Sequence, residues 1–101
     1  MRDMERRRNR RFDLHYPATL RSLNGLVVEG VAENASLGGS LFLSQVAIPL
    51  GAPVDVTIAL QDPAIRSEIR LHGIGKVARV QQDSGDGVRI AVVYDLPLAQ
   101  D

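Results

Sequence analysis

Past its first residues the chain settles into alternation. Leu14, Tyr16, Ala18 and Leu20 are interleaved with Asp13, His15, Pro17 and Thr19, the period of a strand that buries one face. Pro17 cannot donate to a ladder, so an edge or a bulge is expected there. Asn24-Gly25 is a strong hairpin signal and leads into a second strand, LVVEGVAEN. Turn chemistry in ENASLGGS delivers a third, SLFLS, and QVAIPLGAP is a connection. PVDVTIAL is a fourth strand with Val54, Val56, Ile58 and Leu60 on one face. The fifth, EIRLHGIGKVARV from Glu68 to Val80, is long and carries Gly73 and Gly75 inside it, which predicts the bend that closing a small barrel requires. QQDSGDG turns the chain into the sixth, VRIAVVY, and the tail DLPLAQD is too short for a helix. No segment keeps helical periodicity for ten residues. The pattern predicts an all-β fold, a small six-stranded antiparallel β-barrel over residues 12–96, with an arm at 1–11 and a short tail at 97–101.

Length and composition narrow the chemistry. The chain's 101 residues suffice for one domain with one core. Without cysteine there is neither a disulfide framework nor a thiolate zinc site, and His15 and His72 are too few for a metal cluster. No apolar run approaches the roughly 18 residues of a membrane span, and no apolar stretch follows the N-terminal charges as in a signal peptide. The expected location is therefore cytoplasmic, with no membrane insertion and no cofactor.

Charge is distributed unevenly although the net formal charge is zero. Six arginines against Asp3 and Glu5 leave residues 1–11 at +4, and six basic against ten acidic side chains leave the other 90 residues at −4. An Arg-rich arm on an acidic body points to an anionic partner or to a solvated tail. The arm has no apolar face to dock, so it is expected to be flexible without a ligand. Eleven of the twelve basic residues are Arg, with Lys76 the exception, and arginine favours bidentate recognition of a phosphate or a guanine edge.

The turn NASLGG, Asn34 to Gly39, is on its own a Gly-rich β-turn in which Asn caps its own backbone and the glycines supply positive φ. Joined to the arm it means more. Arg-x-x-x-Arg at Arg7 and Arg11, followed by Asn-x-Ser-x-x-Gly at Asn34, Ser36 and Gly39 on a six-stranded all-β domain, resembles the PilZ family of cyclic di-GMP receptors. Arg6 and Arg10 also fit the first spacing, but in the family the second arginine directly precedes the first strand's leading apolar residue, here Phe12. The resemblance runs over almost the whole chain, including GIGKVARV and GVRIAVVY. It implies a ligand-binding set of Arg6, Arg7, Arg8, Arg11, Asn34, Ser36, Gly38 and Gly39, with Arg79 of the fifth strand as a secondary member that stacks on a guanine. It also implies an unidentified downstream protein partner and a sensor, not an enzyme.

Elementary chemistry agrees with that implication. Cyclic di-GMP presents two phosphates and two guanines, and an Arg fork matches either a phosphate or the O6/N7 edge of guanine. Fixing residues 6–11 costs about 1–2 kcal/mol each, so several charge-assisted hydrogen bonds of about 1.5–3 kcal/mol must act together. The surplus of arginines further suggests two stacked ligand molecules, which carry four phosphates. Two other readings stand beside this one. A nucleic-acid-binding barrel would suit the basic arm, but Phe12, Tyr16, Phe42 and Tyr94 fall at positions that alternation assigns to the core, which leaves no stacking platform. A PilZ-like protein-protein module without ligand is the other. Asp13, His15 and Ser36 do not make a hydrolytic triad, since nothing sets a nucleophile beside a base or an oxyanion hole.

Overall fold

The computed structural model describes residues 12–62, 67–83, 85 and 87–100. Every regular element among them is a strand: β1 (Phe12–Ser22), β2 (Val27–Ala35), β3 (Gly39–Ser44), β4 (Pro53–Asp62), β5 (Ser67–Gln82), β6 (Val88–Tyr94) and β7 (Ala99–Gln100). The neighbour order β4-β1-β2-β3-β6-β5, with β4 also paired to β5, closes the first six into an antiparallel barrel. No helix among the described residues is long and apolar enough to cross a membrane. Expectations placed on residues 1–11 lie outside the described residues.

The barrel is two three-stranded meanders joined along two seams. β1-β2-β3 and β4-β5-β6 each fold back on themselves through local turns, whereas β1 meets β4 and β3 meets β6 only across long stretches of chain. The first hairpin uses a three-residue loop: Ser22 N donates to Leu26 O at 2.9 Å and Gly25 takes φ +94°, a left-handed value that favours glycine. Asn24 Oδ1 accepts from Leu26 N at 3.2 Å and seals the turn. Pro17 sits where β1 has β2 alone beside it, because pairing with β4 begins at Ala18. The missing N–H therefore leaves no gap between β1 and β4.

Inward positions follow the alternation. Leu20, Ala32, Phe42, Ile48, Val56, Ile58 and Ile90 are fully buried, joined by Val54, Val77 and Val92. Tyr94 is also buried and Tyr16 packs against the cluster, so three of the four aromatics serve the interior; the Phe12 side chain lies outside the described residues. Burying one such large apolar side chain is worth about 1.5–3 kcal/mol. The buried serines Ser22, Ser40 and Ser44 each have a hydrogen-bond partner, so their hydroxyls are not stranded in the core.

β5 closes the barrel by changing neighbours. Residues 67–76 pair with β4 and residues 75–82 with β6, so Gly75 and Lys76 lie between β4 and β6 at the crossover. A Cβ on Gly75 would lie 2.1 Å from the Val93 carbonyl oxygen, and one on Gly73 would lie 2.8 Å from the Tyr94 ring. Close approach thus requires both glycines, whereas the register shift in β5 falls beyond them, between Val77 and Arg79. The tail contributes one unforeseen element: β7 lies on β5, with Leu71 opposite Gln100 and His72 opposite Ala99.

Candidate ligand-binding face

The Asn34–Gly39 segment joins β2 to β3 and is held by backbone bonds. Ser36 N donates to Gly39 O at 2.8 Å, and Ser36 Oγ also reaches that oxygen at 3.3 Å. From the other side, Tyr94 N donates to Gly38 O at 3.0 Å and Leu98 N to Leu37 O at 3.3 Å. Beneath the turn the Tyr94 hydroxyl donates to Ser40 Oγ at 2.6 Å. Burial pushes the Tyr94 phenol up to about 12, an effect its bond to Ser40 partly offsets. Gly39 does not have the role the turn pattern suggested. The described glycines with left-handed φ are Gly25 and Gly51, whereas Gly39 is required by space, since a Cβ there would lie 2.9 Å from the Val92 carbonyl oxygen.

Two β-bulges determine what faces outward. Against β3, Ala32 pairs with Phe42 and Asn34 with Leu41, so Glu33 is an extra residue in β2. Against β6, Val77 pairs with Val92 and Arg79 with Ala91, so Ala78 is an extra residue in β5. Strict alternation from buried Ala32 and buried Val77 would send Asn34 and Arg79 inward. Each bulge reverses that, and re-aiming a side chain is a common use of a bulge. The outcome is one outward rung, Asn34–Leu41–Ala91–Arg79, spanning three strand spacings or about 14 Å. Its inward counterpart, Ala35–Ser40–Val92–Val77, is buried throughout. Leu41 and Ala91 form a low apolar floor between two polar ends. The next outward rung, Gly39–Val93–Lys76, extends that floor and adds a second cation.

Among the described residues the Asn34 carboxamide, the Arg79 guanidinium and the Lys76 ammonium have no hydrogen-bond or ion-pair partner. Arg89 is the opposite case. It lies on β6 opposite Leu43, and it holds Glu33 with both ends of its fork, at 2.9 Å and 3.4 Å, as well as Asp83. Donating to the Glu33 carboxylate, and then to that of Asp83, pushes its pKa up, so it stays charged.

The rung continues onto β1, where Asp13 pairs with Asn34 and Phe12 with Ala35. The two residues following the Arg-rich arm therefore lie one strand spacing, about 5 Å, from Ala35 and Asn34, where the Asn-x-Ser-x-x-Gly turn begins. Asn34, Ser36, Gly38, Gly39 and Arg79 are gathered on this side of the barrel, while Arg6, Arg7, Arg8 and Arg11 lie outside the described residues. Sequence reasoning missed Leu41, Ala91, Val93, Lys76, Glu33 and Arg89. Alternation within each strand marks several of them as outward, but only cross-strand register makes them neighbours. A separate groove of about 420 Å³, lined by Arg21, Glu29, Thr57 and Arg70 among others, contains none of the predicted site positions.

The PilZ domain family model matches residues 5–101 of the chain. The chain belongs to the PilZ family. PilZ domains are receptor modules associated with cyclic di-GMP, which agrees with a face built of exposed cations and a hydrogen-bonding turn. Among solved structures, the Bacillus subtilis inhibitor of motility MotI/DgrA is similar, with a TM-score of 0.73 at 17% sequence identity. The alignment covers 91% of this chain and 44% of that one, so the PilZ domain described here spans less than half the length of that protein. No curated protein matches the chain at a significant level.

Proposed function

We propose that this chain is a cytoplasmic cyclic di-GMP receptor that converts binding into a surface change read by a protein partner. One observation supports the reading above the rest: β1 begins beside the Asn34–Gly39 turn, so an arm carrying Arg6, Arg7, Arg8 and Arg11 is attached within reach of the Asn34–Arg79 rung. In this reading the arm's guanidinium groups grip phosphates and guanine O6/N7 edges. The Asn34 carbonyl accepts from guanine N1–H or N2–H, and Ser36 offers its hydroxyl. The turn at Gly38 and Gly39 lets the ligand approach the backbone. Leu41 and Ala91 form a flat floor for a base, which Arg79 covers by stacking. The number of arginines suits two stacked ligands per domain. The domain acts as a binding module and carries out no reaction.

A calorimetric titration with cyclic di-GMP, using GTP and linear pGpG as controls, tests this. Selective binding at two ligands per chain is expected. Replacing Arg7, Arg11 or Ser36 with Ala is expected to weaken it at least tenfold, about 1.4 kcal/mol, with little change in the melting temperature of the unliganded protein. Equal weak binding of all three nucleotides refutes the reading, and saturation at one ligand removes the stacked pair.

A further inference from the structure

Asn34 faces outward only because Glu33 is inserted ahead of it, and Glu33 is held by a residue two strands away. Arg89 on β6 reaches over Leu43 of β3 and grips both carboxylate oxygens of Glu33 on β2, while its remaining nitrogen holds Asp83 at the end of β5. The side chains are 37%, 19% and 26% exposed, so the trio is screened less than a pair fully in solvent. A planar fork on a carboxylate fixes direction as well as distance.

We propose that Arg89 and Glu33 are positioning residues of the ligand-binding face, clamping the β2 bulge so that the Asn34 carboxamide is presented outward. The inference rests on the reading that Asn34 contacts the ligand. A bulge interrupts the ladder and leaves its extra residue without a cross-strand partner, so the local geometry is soft unless a side chain restrains it. Here the restraint is the bidentate pair. Asp83 adds to it by engaging the third nitrogen, so the fork cannot rotate away from Glu33 without breaking a second ion pair. The same guanidinium thereby connects the bulge in β2 to the end of β5, the strand that carries the Ala78 bulge and Arg79. Among the described residues Arg89 makes its side-chain hydrogen bonds and ion pairs to Glu33 and Asp83 and to no residue of the rung, and its role is to hold Asn34 in place through Glu33.

The test uses the full chain and two readouts. In the unliganded protein, nitrogen relaxation of the Asn34 side-chain amide is expected to show a restricted group in wild type and a mobile one in Arg89→Gln and in Glu33→Gln. Cyclic di-GMP affinity is expected to fall at least fivefold in each single variant. The double variant Glu33→Gln/Arg89→Gln should be no worse than either single one, because the two residues act as one unit. Equal Asn34 mobility in wild type and variants overturns the proposal, as do losses that add in the double variant. If Arg89→Gln does not fold, Glu33→Gln, which changes a single atom in a part-exposed bulge, carries the same comparison. Should wild type bind no cyclic di-GMP, the functional reading fails, whereas the relaxation measurement still decides the clamp.

Discussion

Alkaline titration of Tyr94 connects the core to the turn in a measurable way. The side chain is 7% exposed, its hydroxyl donates to Ser40 Oγ at 2.6 Å, and its backbone N–H holds Gly38 O. Tyr94→Phe removes the first bond and leaves a buried serine hydroxyl without that partner, at a cost of about 1 kcal/mol near neutral pH. The wild-type phenol must also stay protonated to remain buried. Its pKa is raised from 10.0 to about 12, so the folded state binds the proton more tightly than the unfolded chain does. The resulting stability is fully present below pH 10 and is lost as pH rises through 12. A gap of about 2 in pKa corresponds to about 2.7 kcal/mol. Tyr94→Phe has no such proton to lose. Wild type should therefore be the more stable protein by about 1 kcal/mol at pH 8 and the less stable by a similar amount near pH 12, with the two curves crossing at about pH 11. Urea denaturation of both proteins across this range measures the difference directly, and subtracting one curve from the other removes the titration of every other group. A difference that stays constant from pH 8 to 12 would refute the reasoning, since it would mean that the phenol ionises without cost to the fold.

Gly75→Ala should destabilise the domain by about 3 kcal/mol or prevent folding, because the new methyl would meet backbone atoms of Val93 and Tyr94 that cannot step aside. Gly85→Ala, with nothing within 4 Å, should stay within about 0.5 kcal/mol of wild type, and thermal unfolding separates the two. Asn34→Asp should hold or raise cyclic di-GMP affinity in calorimetry, since a carboxylate can accept from both guanine donors. A large loss would mean that the amide NH₂ is the group in use.

How far the sequence reveals this molecule depends on the range of each signal. Alternation is local, and it identified Val54, Val56 and Ile58 as a buried face before the barrel showed them 1%, 0% and 0% exposed. Glycines are also local signals, and Gly73 and Gly75 do stand at special positions of β5, although what they answer to is the close approach of Tyr94 and Val93, which the sequence does not name. The seams are different in kind. Nothing in β3 names β6 as its neighbour, and without that pairing Asn34 and Arg79 cannot be placed on one rung. The bulges at Glu33 and Ala78 were also hidden, since neither position carries the Gly or Pro that usually flags an irregularity, and an extra residue reverses the face of the one that follows it. Asn34 and Ser36 were found through a motif, whereas Arg89 and Glu33, 56 residues apart, belong to none. The β7 pairing escaped notice because two residues are too few to show a period.

The β3–β6 seam has a consequence for the lifetime of the domain. Each meander can form from contacts close in sequence, but closing the seams needs contacts far apart, the kind that slows folding. The Asn34–Arg79 rung crosses the β3–β6 seam, with two positions on either side. A molecule spanning it binds only the closed barrel, and at a hundredfold excess over its Kd it would hold the seam shut by about 2.7 kcal/mol. Proteases that act on transiently opened chains would then cut the occupied domain more slowly than the empty one. The concentration of such a molecule would be recorded twice, once in how many receptors are occupied and again in how many survive.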